Sequence, residues 1–492
     1  MATTARQTLT PVRNLPRGDQ PAPTVVDSRS QRMLAVRGEV VGLVALLVAV
    51  ALAYSVRLGS VILSDMDEGT YLYAGKLLAA GLIPYRDFLL AHPPLVVTLA
   101  AGWQLIAGPD IMGARFAYMV VVLASTVPLY LLARDIARSA LAGLLAVAAY
   151  TTGMLLLANM GRTVRLEPIM DAFLIGGSAL YLLRRNSKGL LMLVGALLAG
   201  ALLVKLVAAV PIGVLFAAEL IFVRRDRGLL LRWLFVAIGA AVVLVPTGLW
   251  LLAQPNFVDD VVRSQLDRPG LPIATRAYYL WQDFERYPVI PIALAASLVL
   301  VVRSRDARIR IISVVGLGST VALVALFKTF FGYYLVQVLP WLAIVASVAG
   351  VMLLRKVMRR WRPVVIGAIA LLGVAVPAAY GEYYYRTAHD HVSSPAQIVS
   401  LLRQDDGYIY SMYPSFSLWS GRPIYPWYFQ ADALVPRLNG RLTDDGFIEA
   451  FAGSKALVLY ADELADYPNA RAYVEANFHQ TYADNFFALW VR

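Results

Sequence analysis

Ser64-Asp-Met-Asp-Glu-Gly-Thr-Tyr-Leu-Tyr-Ala74 follows the first long apolar run of the chain. Asp65, Asp67 and Glu68 fall within four residues, in a protein with few carboxylates to place. Tyr71, Ala74, Leu77 and Leu78 recur at helical spacing, which predicts an amphipathic helix over about 68–80 lying at the membrane interface. A carboxylate at the start of such a helix is fixed in direction and can take a proton from a hydroxyl at the lipid surface. The competing reading is helix capping: Asp65-x-x-Glu68 has capping-box spacing, and acids favour helix N-termini regardless of function. Capping accounts for Asp65 and Glu68 but leaves Asp67 unexplained.

The surroundings of this stretch set the class. Of the 492 residues, 59% are hydrophobic and 15% are charged, with a mean hydropathy of +0.63. Such a composition belongs to a polytopic α-helical membrane protein. The net charge of +12 sits mostly in short loops between apolar runs. It therefore reads as topology and anionic-lipid signal, and no nucleic-acid partner is expected. Cysteine is absent, which excludes disulfide and thiol chemistry, and four scattered histidines suggest no metal cluster.

Runs at 38–58, 111–133, 140–160, 167–183, 189–204, 206–223, 231–253, 288–302, 309–327, 334–354 and 363–380 give about eleven spans. Basic clusters mark the cytoplasmic loops: Arg134/Arg138, Arg184/Arg185/Lys188, Arg224/Arg225/Arg227, Arg303/Arg305/Arg308 and Arg355/Lys356/Arg359/Arg360. This places the N-terminus in the cytoplasm, residues 1–36 as a disordered tail, and 37–380 as the transmembrane domain. The first outer loop, 59–110, then holds the acidic pair, a second helix over 93–107 and the turn Gly81–Pro94. Residues 381–492 turn soluble in composition. Strands at 408–412, 456–460 and 486–491 and helices at 396–402 and 470–477 predict a small extracytoplasmic α/β domain.

Other candidates gather on the same outer side. Lys205 interrupts an apolar run and Lys328 ends one; snorkelling explains either, but two ammonium groups there can also hold a phosphate. Arg86 and His92, in a turn between two helices, can meet the same anion. Arg162, Arg165, Glu167 and Asp171 cluster at the turn between the third and fourth spans. Asp171 is four residues beyond Glu167 on one helix face, a candidate acceptor or metal contact.

These residues resemble a known family. Asp67-Glu68-Gly-x-Tyr71-x-x-Ala74 resembles the first-loop signature of the GT-C glycosyltransferases that use lipid-phosphate sugars, among them the protein O-mannosyltransferases and the lipid A aminoarabinose transferase. Pro84-Tyr-Arg-Asp followed by His92-Pro-Pro-Leu is similar to the next family block, although the family often has Lys where this chain has His92. Gly200-Ala-Leu-Leu-Val-Lys205 and Lys328-x4-Tyr333-Tyr334-x5-Pro340 resemble two later blocks, in order, over about 38–380. The resemblance implies a GT-C fold and an inverting transferase. Its donor would be a polyprenyl-phosphate sugar and its acceptor a lipid, glycan or protein hydroxyl, at the outer face of the cytoplasmic membrane. By the same resemblance Asp67 is the general base. Lys205, Lys328, Arg86 and His92 stabilise the leaving phosphate, with Tyr333 or Tyr334 as hydroxyl donors. Some relatives bind a divalent metal, for which Glu68, Glu167 or Asp171 are the candidate ligands. The main alternative is a transporter or flippase of lipid-linked sugars. No inverted halves are evident in the sequence, and the candidate residues collect on one side instead of at the midplane.

Overall fold

The computed structural model describes residues 28–492 except 57, 61–65, 159, 184–186, 224–227, 329, 331, 357–360 and most of 362–388. Asp65, Arg184/Arg185, Arg224/Arg225/Arg227 and Arg359/Arg360 lie outside the described residues. So does most of the expected span 363–380. The chain forms two compact units, Met1–Val44 and Ala45–Arg492, and all that follows concerns the second.

Helices α1 (Ser28–Ser55), α2 (Met66–Ala79), α3 (Leu95–Ala107), α4 (Ile111–Ala137), α5 (Ala140–Ala158), α6 (Leu166–Leu183), α7 (Lys188–Val204), α8 (Ala209–Val223) and α9 (Leu229–Leu252) follow in order. The first of them starts inside the segment expected to be a disordered tail. Later come Ile273–Arg286, Val289–Arg303, Ala307–Leu326 and Leu339–Leu354. Eight helices among the described residues are long and apolar enough to cross a bilayer. A ninth span arises if Ile273–Arg286 and Val289–Arg303, bent by 100°, count as one. Of the about eleven runs expected, 189–204 forms a shorter, 17-residue apolar helix, 288–302 is one arm of the bent pair, and 363–380 lies mostly outside the described residues.

Local chemistry sets the boundaries. Asp110 caps α4, accepting from the N–H groups of Met112 (3.0 Å) and Gly113 (2.9 Å). Between α7 and α8 the backbone extends at Lys205 (φ −155°, ψ 126°), and a short 3-10 turn, Leu206–Ala208, restarts the helix. Pro211 sits in the first turn of α8, where its missing N–H costs nothing.

The C-terminal segment carries four strands, β1 (Ile409–Ser411), β2 (Ala456–Tyr460), β3 (His479–Ala483) and β4 (Phe487–Val491), ordered β1-β2-β4-β3. The β1–β2 pair is parallel and the other two are antiparallel. Sequence reading expected three of these strands; β3, whose side chains are mostly exposed, carries little apolar alternation.

One helix joins the two cores. Tyr71 and Leu72 of α2 pack into the core of the bundle. Tyr73, Ala74 and Leu77 pack into a second core shared with the C-terminal segment, Leu251 and Val261. The helix is therefore buried around its circumference and does not lie on lipid with one face exposed. Its contact with the C-terminal segment is close: a Cβ on Gly69 would lie 2.5 Å from the backbone nitrogen of Ser415. Tyr73 Oη accepts a hydrogen bond from Ile424 N–H at 3.0 Å.

Candidate active site

The first-loop acids Asp67 and Glu68 separate by environment. Glu68 is buried and receives two hydrogen bonds from Arg115, Nε to Oε1 at 2.9 Å and Nη2 to Oε2 at 2.6 Å. Its Oε1 also accepts the Val164 N–H at 3.1 Å. Glu68 is thus a fixed strut between α2, α4 and the α5–α6 turn, not the acceptor or metal contact expected of it. Arg115 escaped notice in the sequence, although a lone guanidinium in the first turns of an apolar helix is a signal for a buried partner.

By holding Val164, Glu68 sets the position of Arg165 next in the chain. Arg165 Nη1 lies 3.6 Å from Asp67 Oδ2, and its guanidinium lies over the Tyr333 ring at 5.3 Å. Lys205 is buried with its Nζ 2.6 Å from Glu167 Oε1, and it faces the rings of Tyr334 (4.8 Å) and Tyr333 (5.7 Å). The two tyrosines thus present ring faces to the cations, a cation–π role in addition to the hydroxyl donation expected.

Asp67, Thr70, Tyr71, His92, Lys205, Arg268, Tyr333, Tyr334 and Asp432 line a cavity of about 90 Å³, closed on one side by Leu434, Val435 and Leu438 of the C-terminal segment. The Asp67 side chain keeps 37% of its surface accessible, and that surface faces this small cavity. Burial away from bulk water and the neighbouring Glu167 and Asp432 carboxylates push its pKa up to about 7, against the pull of Lys205 and Arg268. Burial, with the Lys205 and Arg268 charges, holds His92 well below the usual imidazole range. His92 is therefore neutral at pH 7 and serves as a hydrogen-bonding group, not the cation expected. The loop carrying it is built around Tyr85, which adopts φ 65° and donates its hydroxyl to the His92 carbonyl at 2.7 Å.

A second cavity, of about 430 Å³, adjoins the first. Its walls are largely apolar (Val207, Val210, Val261, Leu326, Phe327 among them), and it shares Lys205, His92 and Tyr334 with the polar cavity. Lys328 lines this apolar cavity only, exposed, with its Nζ donating to the Leu266 carbonyl at 3.1 Å.

Several expected groups lie elsewhere. Arg86 is half exposed and grips Asp87 through Nε (2.9 Å) and Nη2 (2.8 Å), lining neither cavity. Arg162 is buried and donates to the backbone carbonyls of Tyr54 (2.9 Å) and Val56, securing the end of α1. Asp171 is buried beside the Tyr150 hydroxyl at 3.3 Å. The proposed metal ligands do not converge, since Glu68 is taken by Arg115 and Glu167 by Lys205. Among the described residues no group of three or more carboxylates or imidazoles is arranged to hold an ion, so these residues do not fit a metal. Arg268 and Asp432 were missed in the sequence, because an Arg or Asp in a polar segment carries no local mark of what it will face.

Comparison with known proteins agrees with this architecture. The family model for dolichyl-phosphate-mannose-protein mannosyltransferase matches residues 91–250. The crystal structure of ArnT from Cupriavidus metallidurans bound to undecaprenyl phosphate superposes with a TM-score of 0.64 at 16% identity, over 91% of this chain and 97% of that one. This is a membrane protein with the GT-C glycosyltransferase fold. The apo form of ArnT gives the same TM-score at 18% identity, over 92% and 98% of the two chains. The Archaeoglobus fulgidus oligosaccharyltransferase tethered to an acceptor peptide shares the GT-C fold more distantly, with a TM-score of 0.52 at 12% identity over 91% and 74%. No curated protein sequence matches the chain.

Proposed function

We propose that the protein transfers a sugar from a polyprenyl-phosphate donor to an acceptor hydroxyl at the outer face of the cytoplasmic membrane, with inversion at the anomeric carbon. The observation that carries this reading is the junction of the two cavities. An apolar chamber suited to a prenyl chain meets a small polar chamber at Lys205, His92 and Tyr334, and Asp67 faces the polar side. A donor lying across that junction puts its lipid in the first chamber, its phosphate at Lys205 and its sugar before Asp67. Of the relatives in fold, ArnT binds undecaprenyl phosphate, and an archaeal oligosaccharyltransferase binds dolichol phosphate.

The chemistry follows from the charges. The acceptor oxygen attacks the anomeric carbon while its proton passes to the Asp67 carboxylate. The bond from that carbon to the phosphate oxygen breaks, and its electron pair leaves with the lipid phosphate. Phosphate is already a good leaving group, so no separate acid is needed. Lys205 and Arg268, whose Nε has no hydrogen-bond partner among the described residues, offset the charge that develops. Arg165 holds the Asp67 carboxylate in line. A carboxyl with a pKa near 7 is a stronger base than an ordinary aspartate and is still about half ionised at pH 7.

In this reading the N-terminus is cytoplasmic and the C-terminal segment, which closes the polar cavity, is extracytoplasmic. The test is incubation of purified protein with a panel of polyprenyl-phosphate sugars in the presence of native membranes, following release of free lipid phosphate. Release supports transfer. Movement of the donor across the bilayer without release is the transporter's signature and would overturn it.

A further inference from the structure

Part of the polar cavity's wall that the apolar chamber does not share comes from the C-terminal segment, and it carries a carboxylate. Asp432 is only 9% exposed, yet no Lys, Arg or His nitrogen lies within 4 Å of it among the described residues; its Oδ1 accepts the Val435 N–H at 3.2 Å. A buried carboxylate held by backbone amides, with no cation in contact among the described residues, is costly to keep, and such groups persist where something else uses them. Asp432 lines the cavity that holds Asp67 and does not line the apolar chamber.

The segment around Asp432 is tied down on both sides. Tyr428 accepts the Leu89 N–H on its carbonyl at 2.7 Å and donates its hydroxyl to Asp260 Oδ2 at 2.5 Å. Arg441 Nη1 reaches Asp260 Oδ1 at 3.3 Å, and Asn439 Nδ2 donates to the Ser264 carbonyl at 3.0 Å. Asp260 is fully buried. Asp432 is thus held in place by contacts of its flanking segment with Leu89, Asp260 and Ser264, the kind of preorganisation a binding site needs.

Charge selects the ligand. Arg165 lies beside Asp67 and Lys205 beside Glu167, and Arg268 and Asp432 both face the cavity, so the site is close to neutral before the donor enters. The donor phosphate adds negative charge. A second anion beside Asp67 and Asp432 would stand unbalanced in a dehydrated pocket, whereas a neutral hydroxyl can donate to both carboxylates.

We propose that the space between Asp67 and Asp432 is the acceptor subsite, that it takes a neutral acceptor of the carbohydrate class, and that Asp432 orients this acceptor by accepting a hydrogen bond from one of its hydroxyls. This rests on the transferase reading above. Asp432 is a positioning residue, and the proton goes to Asp67.

The test uses the full-length protein and a polyprenyl-phosphate sugar that it turns over with native membranes. The acceptor probes are neutral n-octyl glycosides of several sugars, n-octyl glucuronide as the anionic counterpart, and a Ser/Thr peptide. The expected result is transfer to a neutral glycoside, a KM for it raised at least tenfold in Asp432→Asn, and a donor KM changed less than twofold. Asp432→Glu should recover part of the loss. The rate's dependence on pH adds a readout that a purely structural role would not move. Asp67 is faced by Arg165, Lys205, Arg268, Glu167 and Asp432; removing the last charge shifts the acid limb to lower pH. Transfer only to the glucuronide or the peptide, or to none of the probes, overturns the proposal. So does an acceptor KM unchanged in Asp432→Asn, or donor and acceptor KM rising together. If the wild type turns over no donor even with native membranes, the transferase reading fails first and this proposal falls with it.

Discussion

Glu68 and Arg115, 47 residues apart in the chain, meet as a buried two-bond pair with no exposed face. The neighbouring Asp67 points into a cavity instead. Two adjacent acids on one helix therefore have opposite surroundings: Glu68 is locked in the interior, and Asp67 lines a cavity beside Arg165. Replacing Glu68 by Gln strands the Arg115 charge in the interior, a loss on the order of 3–5 kcal/mol for such pairs. The expected outcome is a large fall in the melting temperature of the detergent-solubilised protein and in its yield. A Glu68→Gln protein of wild-type stability would contradict the strut.

Asp67→Asn removes the proposed base and preserves shape. Transfer should fall by roughly 10²–10⁴-fold, the usual contribution of general base catalysis, with the melting temperature within a few degrees of wild type. Single-turnover release of lipid phosphate measures the first, and a thermal unfolding scan the second.

Because the Asp67 pKa is raised from 3.8 to about 7, the catalytic, ionised form is lost as pH falls through neutrality. Below that value kcat/KM should drop about tenfold per pH unit, and above it the profile should level off. Burial is the main cause, with Glu167 and Asp432 adding to it and Lys205 and Arg268 opposing. A profile flat between pH 5 and 8 would mean that Asp67 is not the titrating base.

Lys205→Ala removes a cation from the junction of the cavities and leaves Glu167 buried without its 2.6 Å partner. The measurable consequence is weaker retention of polyprenyl phosphate, by tenfold or more, together with a loss of stability. The double variant Lys205→Ala/Glu167→Gln should regain stability and not ligand affinity. Calorimetric titration with polyprenyl phosphate separates the two effects, and affinity restored in the double variant would remove Lys205 from the phosphate site.

Gly69 is where the C-terminal segment lies against α2. A valine there drives atoms into Ser415, whose backbone nitrogen would lie 2.5 Å from the new Cβ. Overpacking of this kind costs about 1–3 kcal/mol. Gly69→Val should loosen the C-terminal segment, seen as faster amide exchange over residues 409–440, and lower transfer although no reacting group has changed.

The site was partly legible in the sequence. Asp67, Lys205 and Glu167 stood out because charge is expensive in an apolar chain, so each had to be explained. Arg86 stood out too and proved to be paired with Asp87 on the surface: a motif position next to a turn does not reveal which way the side chain leaves it. His92 lines both cavities, but burial and the Lys205 and Arg268 charges keep it from being the cation expected. Arg268 and Asp432 were invisible, because polar residues in polar segments are ordinary.

Composition and hydropathy alone determined that this chain crosses a membrane many times and ends in a less apolar segment with a small sheet, because a bilayer imposes its length and apolarity on every span. The block of residues around Asp67 pointed to the chemistry. Only the tertiary structure decided how many helices meet the length of a span, which acid of the pair faces a cavity, and that Asp432, 365 residues downstream of Asp67 in the numbering, shares that cavity. Those outcomes depend on which side chains are brought together through space, and the local periodicity that encodes helices and strands carries no record of such distant encounters.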